Sequence, residues 1–237
     1  MGVIRPVKGK NAPQISRDVI MVSPKRELNY LAERLGAGDY GEIDGCLYRL
    51  YLAHDNVAIC GPFLGAPQAV MALEKLIALG AERIWVFSWC GSIAPDIKIG
   101  DVVICKGSFS EEGTSQHYPI PSEPIPDPKM TQMIKGSLSS KGIRFFEGPL
   151  WTTDAPYRET PDKIAMYRQK GAIGVDMEIS ALMTVAIFRA VSLAGIFVVS
   201  DELNPKRWRP GFSSPILKES SKKVLDLLME LALNASA

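Results

Sequence analysis

Several carboxylates and one thiol stand where their surroundings could turn them to chemistry. Asp201 leaves the apolar run Ile196 to Val199 almost directly, a place where desolvation can raise a carboxyl pKa towards that of a proton donor. It is the best single candidate for a catalytic acid; a turn or helix N-cap acid is the alternative. Asp176 and Glu178 flank Met177 just before an apolar helical run. Taken alone, this segment also fits acids that favour the positive end of a helix dipole. Cys90 and Gly91 close another apolar run; with His117 elsewhere, they admit a thiol nucleophile and its base. The neighbouring Trp89 and the lack of an orienting acid weigh against that pairing. His54 and His117 are the only two histidines, and neither has a ligand-like neighbour at helical spacing, which disfavours a metal hydrolase.

These residues need a frame, and the chain supplies the pattern of one. Short apolar runs alternate with amphipathic helical segments, which predicts one α/β domain over residues 1–237: three layers, with a mostly parallel mixed sheet between helices. The expected strands are Asp18 to Val22, Val57 to Cys60, Ile84 to Phe87, Asp101 to Cys105 and Gly195 to Ser200. Helices are expected over Lys25 to Leu35, Pro67 to Leu79, Glu178 to about Leu193 and Pro215 to about Leu233. Pro119 to Pro128 contains five prolines and must be an extended loop, of the kind that often serves a binding surface. In open parallel sheets ligands sit beyond the carboxyl ends of the strands. The segments to interrogate are therefore Ser23 to Arg26, the turn Gly61 to Gly65, Ser88 to Gly91, and Ser200 to Glu202.

Composition narrows the partners. With 27 basic and 26 acidic side chains the charge is nearly balanced. Neither sign runs long enough to suit a nucleic acid or a membrane surface, so a small molecule is expected. Cys46, Cys60, Cys90 and Cys105 form no CxxC pair and read as buried reduced thiols. Together with a start that lacks a signal-peptide pattern, this points to the cytoplasm.

Taken in order, Ser23-Pro24-Lys25-Arg26, Gly61 to Pro67, Trp89-Cys90-Gly91-Ser92-Ile93, Gly100-Asp101, Val175-Asp176-Met177-Glu178 and Val199-Ser200-Asp201 resemble the nucleoside phosphorylase family, which includes related nucleosidases. Glu112 to Tyr118, with His117 in it, is similar to a motif of the uridine phosphorylase-like branch. The resemblance implies cleavage of the bond between a base and a ribose, in which the sugar becomes cation-like and the base leaves as an anion. It places Met177 and Glu178, with Asp176 beside them, on the sugar, and Asp201 on the imidazole side of the leaving base. Arg207 and Arg209 could assist from the basic loop 206–209, where surface solvation is the alternative. Tyr157 would wall the base, and Cys90 and Gly91 would line the substrate pocket. Arg26 would hold phosphate as co-substrate, with no other cofactor implied. Arg49 would reach into a neighbouring subunit's site, making a dimer, or a hexamer built as a trimer of dimers.

The pattern is broken in two places. Val86 replaces a phosphate arginine, and Trp89 replaces a small hydroxyl residue before Cys90. Ser88 could supply a hydroxyl instead. Hydrolysis in place of phosphorolysis, and a degenerate nucleoside-binding protein, therefore stand as alternatives. The stretch Arg158 to Asp162 lacks the glutamine and arginine that read a pyrimidine, which tilts the base towards a purine, with uridine as the alternative.

Overall fold

The computed structural model describes residues 3–10, 12–42, 48–53, 57–204 and 207–236. Cys46, His54 and Lys206 lie outside these residues. The chain opens with β1 (Asp18–Val22), α1 (Lys25–Arg34), β2 (Gly38–Glu42), β3 (Arg49–Leu52), β4 (Ala58–Gly61) and α2 (Ala66–Leu79). It continues through β5 (Arg83–Ser92), β6 (Val102–Ser110), α3 (Pro128–Ser140), β7 (Phe145–Thr152), α4 (Pro161–Gln169) and β8 (Gly174–Asp176). It closes with α5 (Ile179–Arg189), β9 (Ser192–Asn204), β10 (Arg207–Pro210) and α6 (Pro215–Ser236).

All five residues of β1 are buried, and their alternation assigns them to two cores. Val19 and Met21 pack with Ala69, Leu73 and Leu182 of α2 and α5. Ile20 and Val22 pack with Leu28, Ile134 and Leu228 of α1, α3 and α6. A strand apolar on both faces must lie between two helical layers, and this gives the expected α/β architecture with helices flanking a mixed sheet.

The sheet runs β10-β9-β6-β7-β8-β5-β1-β4-β3-β2, and β9 also pairs with β5. That added pairing joins β5, β9, β6, β7 and β8 into a closed ring, with β1, β4, β3 and β2 as a tail. Parallel pairs form the centre, where β1 lies between β4 and β5 and β5 lies beside β9. Antiparallel pairs seam the ring, between β6 and β9 and between β5 and β8. Apolar alternation cannot announce such closure, because each strand reads the same whether its second neighbour is an edge or a ring partner.

Some element ends also differ from the expected ones. The helix after Glu178 stops at Arg189, because Ala190 takes a left-handed φ of 56° and ends the helical ladder. β5 extends through Ser88 to Ser92, and β9 begins at Ser192 and runs to Asn204. Ser88 to Gly91 and Asp201 thus lie inside strands, not after them. The proline-rich stretch is irregular as expected, up to the cap that Asp127 places on α3 by accepting from Met130 N–H at 2.8 Å. It lies away from the cleft described below; Ile120, Ser122 and Pro124 line a separate groove.

Candidate active site

A cleft of 760 Å³ opens at the carboxyl ends of β1, β4, β5 and β9, bounded by Ser23, Phe63, Ser88, Cys90, Gly91, Tyr157, Glu159, Met177, Glu178, Asp201, Trp208 and Phe212. Its size falls within the usual range for small-molecule sites, about 300–1,000 Å³. The four strand-end segments singled out in the sequence meet here.

Glu178 forms the floor. It is buried, and its Oε1 accepts the Gly65 N–H at 2.6 Å. Gly65 has φ of 90°, a conformation that glycine adopts without a Cβ penalty, and this turns its amide onto the carboxylate. Burial, with the Asp176 charge second, pushes the Glu178 carboxyl well above the ordinary carboxylate range. Asp176 itself is engaged by the helix start: its Oδ2 accepts from the N–H groups of Glu178 (3.0 Å) and Ile179 (2.7 Å), and its Oδ1 from the Thr152 hydroxyl (2.6 Å). Asp176 lines the cleft as expected, and its carboxylate also holds Glu178 in place through the helix-start amides. Met177 stands half-buried in the cleft wall.

Asp201 reaches the cleft through a register shift. Cys90 pairs with Val199 but Gly91 pairs with Asp201, leaving Ser200 as an extra residue. Continued without the bulge, the same pairing would turn Asp201 to the face of Val199 and Phe197, in the core. Ser200 Oγ donates to Asp201 Oδ1 at 2.6 Å, and Trp208 Nε1 donates to Oδ2 at 2.8 Å. A Cβ on Gly91 would meet Leu203 Cδ1 at 2.4 Å and Asp201 Oδ2 at 3.3 Å, so glycine is what allows the carboxylate this close to the strand. Cys90 lines the same wall, but burial and then the charges of Asp176 and Asp201 raise its thiol pKa well above the usual value. The thiolate that a nucleophile requires is thereby suppressed.

Other expected site residues lie elsewhere. Arg207 and Arg209 do not line the cleft. On β10 successive side chains point to opposite faces, so Trp208 faces the cleft while both arginines face outwards and Arg209 pairs with Glu202 at 3.3 Å. His117 is exposed on the short turn Ser115–His117, outside the cleft of its own chain. Its motif is anchored instead by the buried Glu112, which accepts from Ser110 Oγ (2.7 Å), Thr114 N–H (2.6 Å) and Ser180 Oγ (2.9 Å). Arg49 pairs with Asp39 across the β2–β3 hairpin. Tyr157 is fully exposed at the cleft rim, and packing in the core is not its role.

The anion side holds a contact the sequence did not announce. Arg26 binds the buried Glu27 carboxylate at 2.6 Å, donates to the Phe212 carbonyl at 3.3 Å and lies 5.2 Å from the centre of the Trp89 ring. Burial raises the Glu27 carboxyl pKa while Arg26 opposes the rise. Ser88 lines the cleft and, with Ser23, Val86 and Glu178, a cavity of 10 Å³ beneath it. Trp89, Phe212 and Trp208 form an aromatic wall, with centroids 6.1 and 6.2 Å apart along the series. Sequence reasoning missed Phe212 and Trp208; the aromatic spacing after β9 was the available signal.

Among the described residues no three His, Cys, Asp or Glu side chains cluster as a metal site, and no helix is long and apolar enough to cross a membrane.

A family model described as the phosphorylase superfamily matches residues 18–231. The chain is 25% identical to a guanosine phosphorylase of Halorubrum lacusprofundi over 76% of its length and 75% of the relative. It is 26% identical to a DeoD-type purine nucleoside phosphorylase of Caldanaerobacter subterraneus over 82% of this chain and 87% of the relative. In fold it is similar to the crystal structure of Toxoplasma gondii purine nucleoside phosphorylase in complex with immucillin-H, with a TM-score of 0.86 at 20% identity, covering 100% of this chain and 99% of that one.

Proposed function

Because the chain belongs to the phosphorylase superfamily, we propose that it is an enzyme that cleaves a nucleoside, with a purine preferred, using phosphate to release the free base and ribose 1-phosphate. The observation that carries this reading is the pairing of Glu178 on the floor with Asp201 on the wall of one cleft walled by aromatic side chains. As the glycosidic bond breaks, positive charge grows on the sugar and negative charge on the base. The sugar hydroxyls donate to Glu178 and, as the ring turns cationic, become better donors that draw its raised carboxyl towards the ionised form. Asp201 meets the imidazole side of the base and shares or delivers a proton there, while Trp208 and Phe212 face the ring. Phosphate would enter near Ser23 and Ser88, beside the uncapped start of α1, whose first amides lack helical partners. The reading calls for no cofactor besides phosphate as co-substrate.

One observation favours a second reading. Arg26, the cation expected to hold phosphate, is already paired with Glu27 and stacked on Trp89. A site whose arginine is neutralised in this way suits water as the nucleophile. Incubation of purified protein with a nucleoside panel, with and without phosphate, separates the two. Phosphorolysis predicts phosphate-dependent release of base with ribose 1-phosphate; release at an equal rate in phosphate-free buffer, with free ribose, sinks it.

Arg49 lies away from the cleft of its own chain, which supports sites shared between subunits of a homo-oligomer, a dimer or a trimer of dimers. Mixing Arg49→Ala with Arg26→Ala protein should then restore activity that neither has alone. The buried free thiols Cys60, Cys90 and Cys105 suit a reducing cytoplasm.

A further inference from the structure

Glu178 owes its place on the floor of the cleft to the turn that follows it. It is the N-cap of α5, with φ of −135° and ψ of −34°, and its own side chain caps nothing. The first amides of the helix are held from outside. Those of Glu178 and Ile179 donate to Asp176 Oδ2, and that of Ser180 donates to Thr152 Oγ1 at 3.1 Å. Ser180 is fully buried, and its hydroxyl donates to Glu112 Oε1 at 2.9 Å.

Glu112 follows β6 and lies outside the cleft, bordering a separate groove with Ser115 and Thr184. Besides Ser180, its Oε1 accepts the Ser110 and Ser115 hydroxyls, and its Oε2 accepts the amides of Thr114 (2.6 Å) and Ser115 (3.0 Å). Burial opposes its charge, but the donors from Ser115, Ser110 and Ser180 hold the carboxyl below its ordinary value. Ser110, Thr114 and Ser115 belong to the same short segment and would anchor it by themselves. Ser180 comes from 68 residues further along the chain, on the first turn of the helix behind Glu178. Residues two apart on a helix do not face each other, so that turn can be gripped through Ser180 while Glu178 faces the cleft. Rolling the turn would give up a charge-assisted bond in a dry interior. We propose that Glu112 is a positioning residue for the sugar-binding carboxylate: through the Ser180 hydroxyl it fixes the first turn of α5 and, with it, the side chain of Glu178. This inference rests on the sugar contact assigned to Glu178.

Ser180→Ala cuts the link and leaves Glu112 its other donors. It should lower kcat/KM for a cleaved nucleoside about tenfold, with the KM for phosphate within twofold of the wild type. In a Glu178→Gln background the same change should cost less than twofold, because the side chain it misplaces no longer carries the charge. Glu112→Gln should act in the same direction, and the two changes together should cost no more than the larger alone. Thr184→Ala removes a buried hydroxyl bonded to the Ser180 carbonyl at 2.7 Å and should leave kcat/KM as it is. An equal cost of Ser180→Ala in both backgrounds, full additivity with Glu112→Gln, or an equal loss in Thr184→Ala overturns the proposal. Amide exchange reads the same contact without turnover. The Gly65 N–H donates to Glu178 Oε1, and its exchange should quicken about tenfold in Ser180→Ala while that of Ile20 in β1 is unchanged. If no nucleoside is cleaved, the parent reading fails and this exchange decides on Glu112 alone: a Gly65 amide as protected as in the wild type overturns it.

Discussion

Glu178→Gln should move activity and stability in opposite directions. The glutamine is nearly isosteric and keeps an oxygen for the Gly65 N–H, which lies 2.6 Å from Oε1 in the native protein. What it removes is the charge. In a dry site, losing two charge-assisted hydrogen bonds to the sugar costs about 3 kcal/mol in the transition state, roughly a hundredfold in kcat/KM. Stability follows the other sign. Burial and Asp176 raise the folded carboxyl above its unfolded value, so the stability it contributes is full below the ordinary carboxylate pKa and is lost as pH rises through the raised folded value. The amide does not titrate. The variant should therefore gain on the wild type as pH rises from 5 to 8, a difference that urea unfolding at the two pH values resolves. Steady-state kinetics with a cleaved nucleoside supply the other half. A variant less stable than the wild type at pH 8, with activity falling in step, would make Glu178 a structural group. Activity within threefold of the wild type would remove it from the sugar.

Three further outcomes are expected. Trp208→Phe removes the 2.8 Å donor to Asp201 and should lower kcat about tenfold, whereas Arg207→Ala and Arg209→Ala should leave it within twofold; the reverse order would restore the basic pair to the site. Gly91→Ala places a Cβ 2.4 Å from Leu203 Cδ1 and 3.3 Å from Asp201 Oδ2, and should cost about 1–3 kcal/mol of stability with a fall in kcat; wild-type unfolding and turnover would refute the close-approach argument. Glu27→Gln should release Arg26 and lower the KM for phosphate about fivefold, from a contact of about 1 kcal/mol; a raised KM would mean that Glu27 presents Arg26 to the anion.

Much of this was legible from the chain, for identifiable reasons. Apolar runs buried on both faces announce their strands, and β1 and the strand entering Asp201 were readable because Val19 to Val22 and Ile196 to Val199 are unbroken apolar runs. Glu178 and Asp201 were readable because motifs carry them. The pairing of Arg26 with Glu27 was not, because which partner an arginine takes is a matter of rotamer and burial that adjacent letters do not encode. Arg207 and Arg209 misled because the strand they sit in is four residues long and edge-placed; without its register the alternation that turns Trp208 inwards cannot be assigned.

Closing five strands into a ring leaves the sheet, among the described residues, with β2 and β10 as its outer strands. An exposed strand edge offers unpaired backbone groups on which a second chain can template, the first step towards aggregation. Here β10 is four residues long and carries Arg207, Arg209 and Pro210, so charge repels and proline denies a donor to any incoming strand. The opposite edge has an irregular register between Asp39 and Gly41, which spoils its flatness as a template. If the two arginines guard this edge, neutralising Arg207 and Arg209 together should be felt in solubility on refolding and concentration, with turnover little changed.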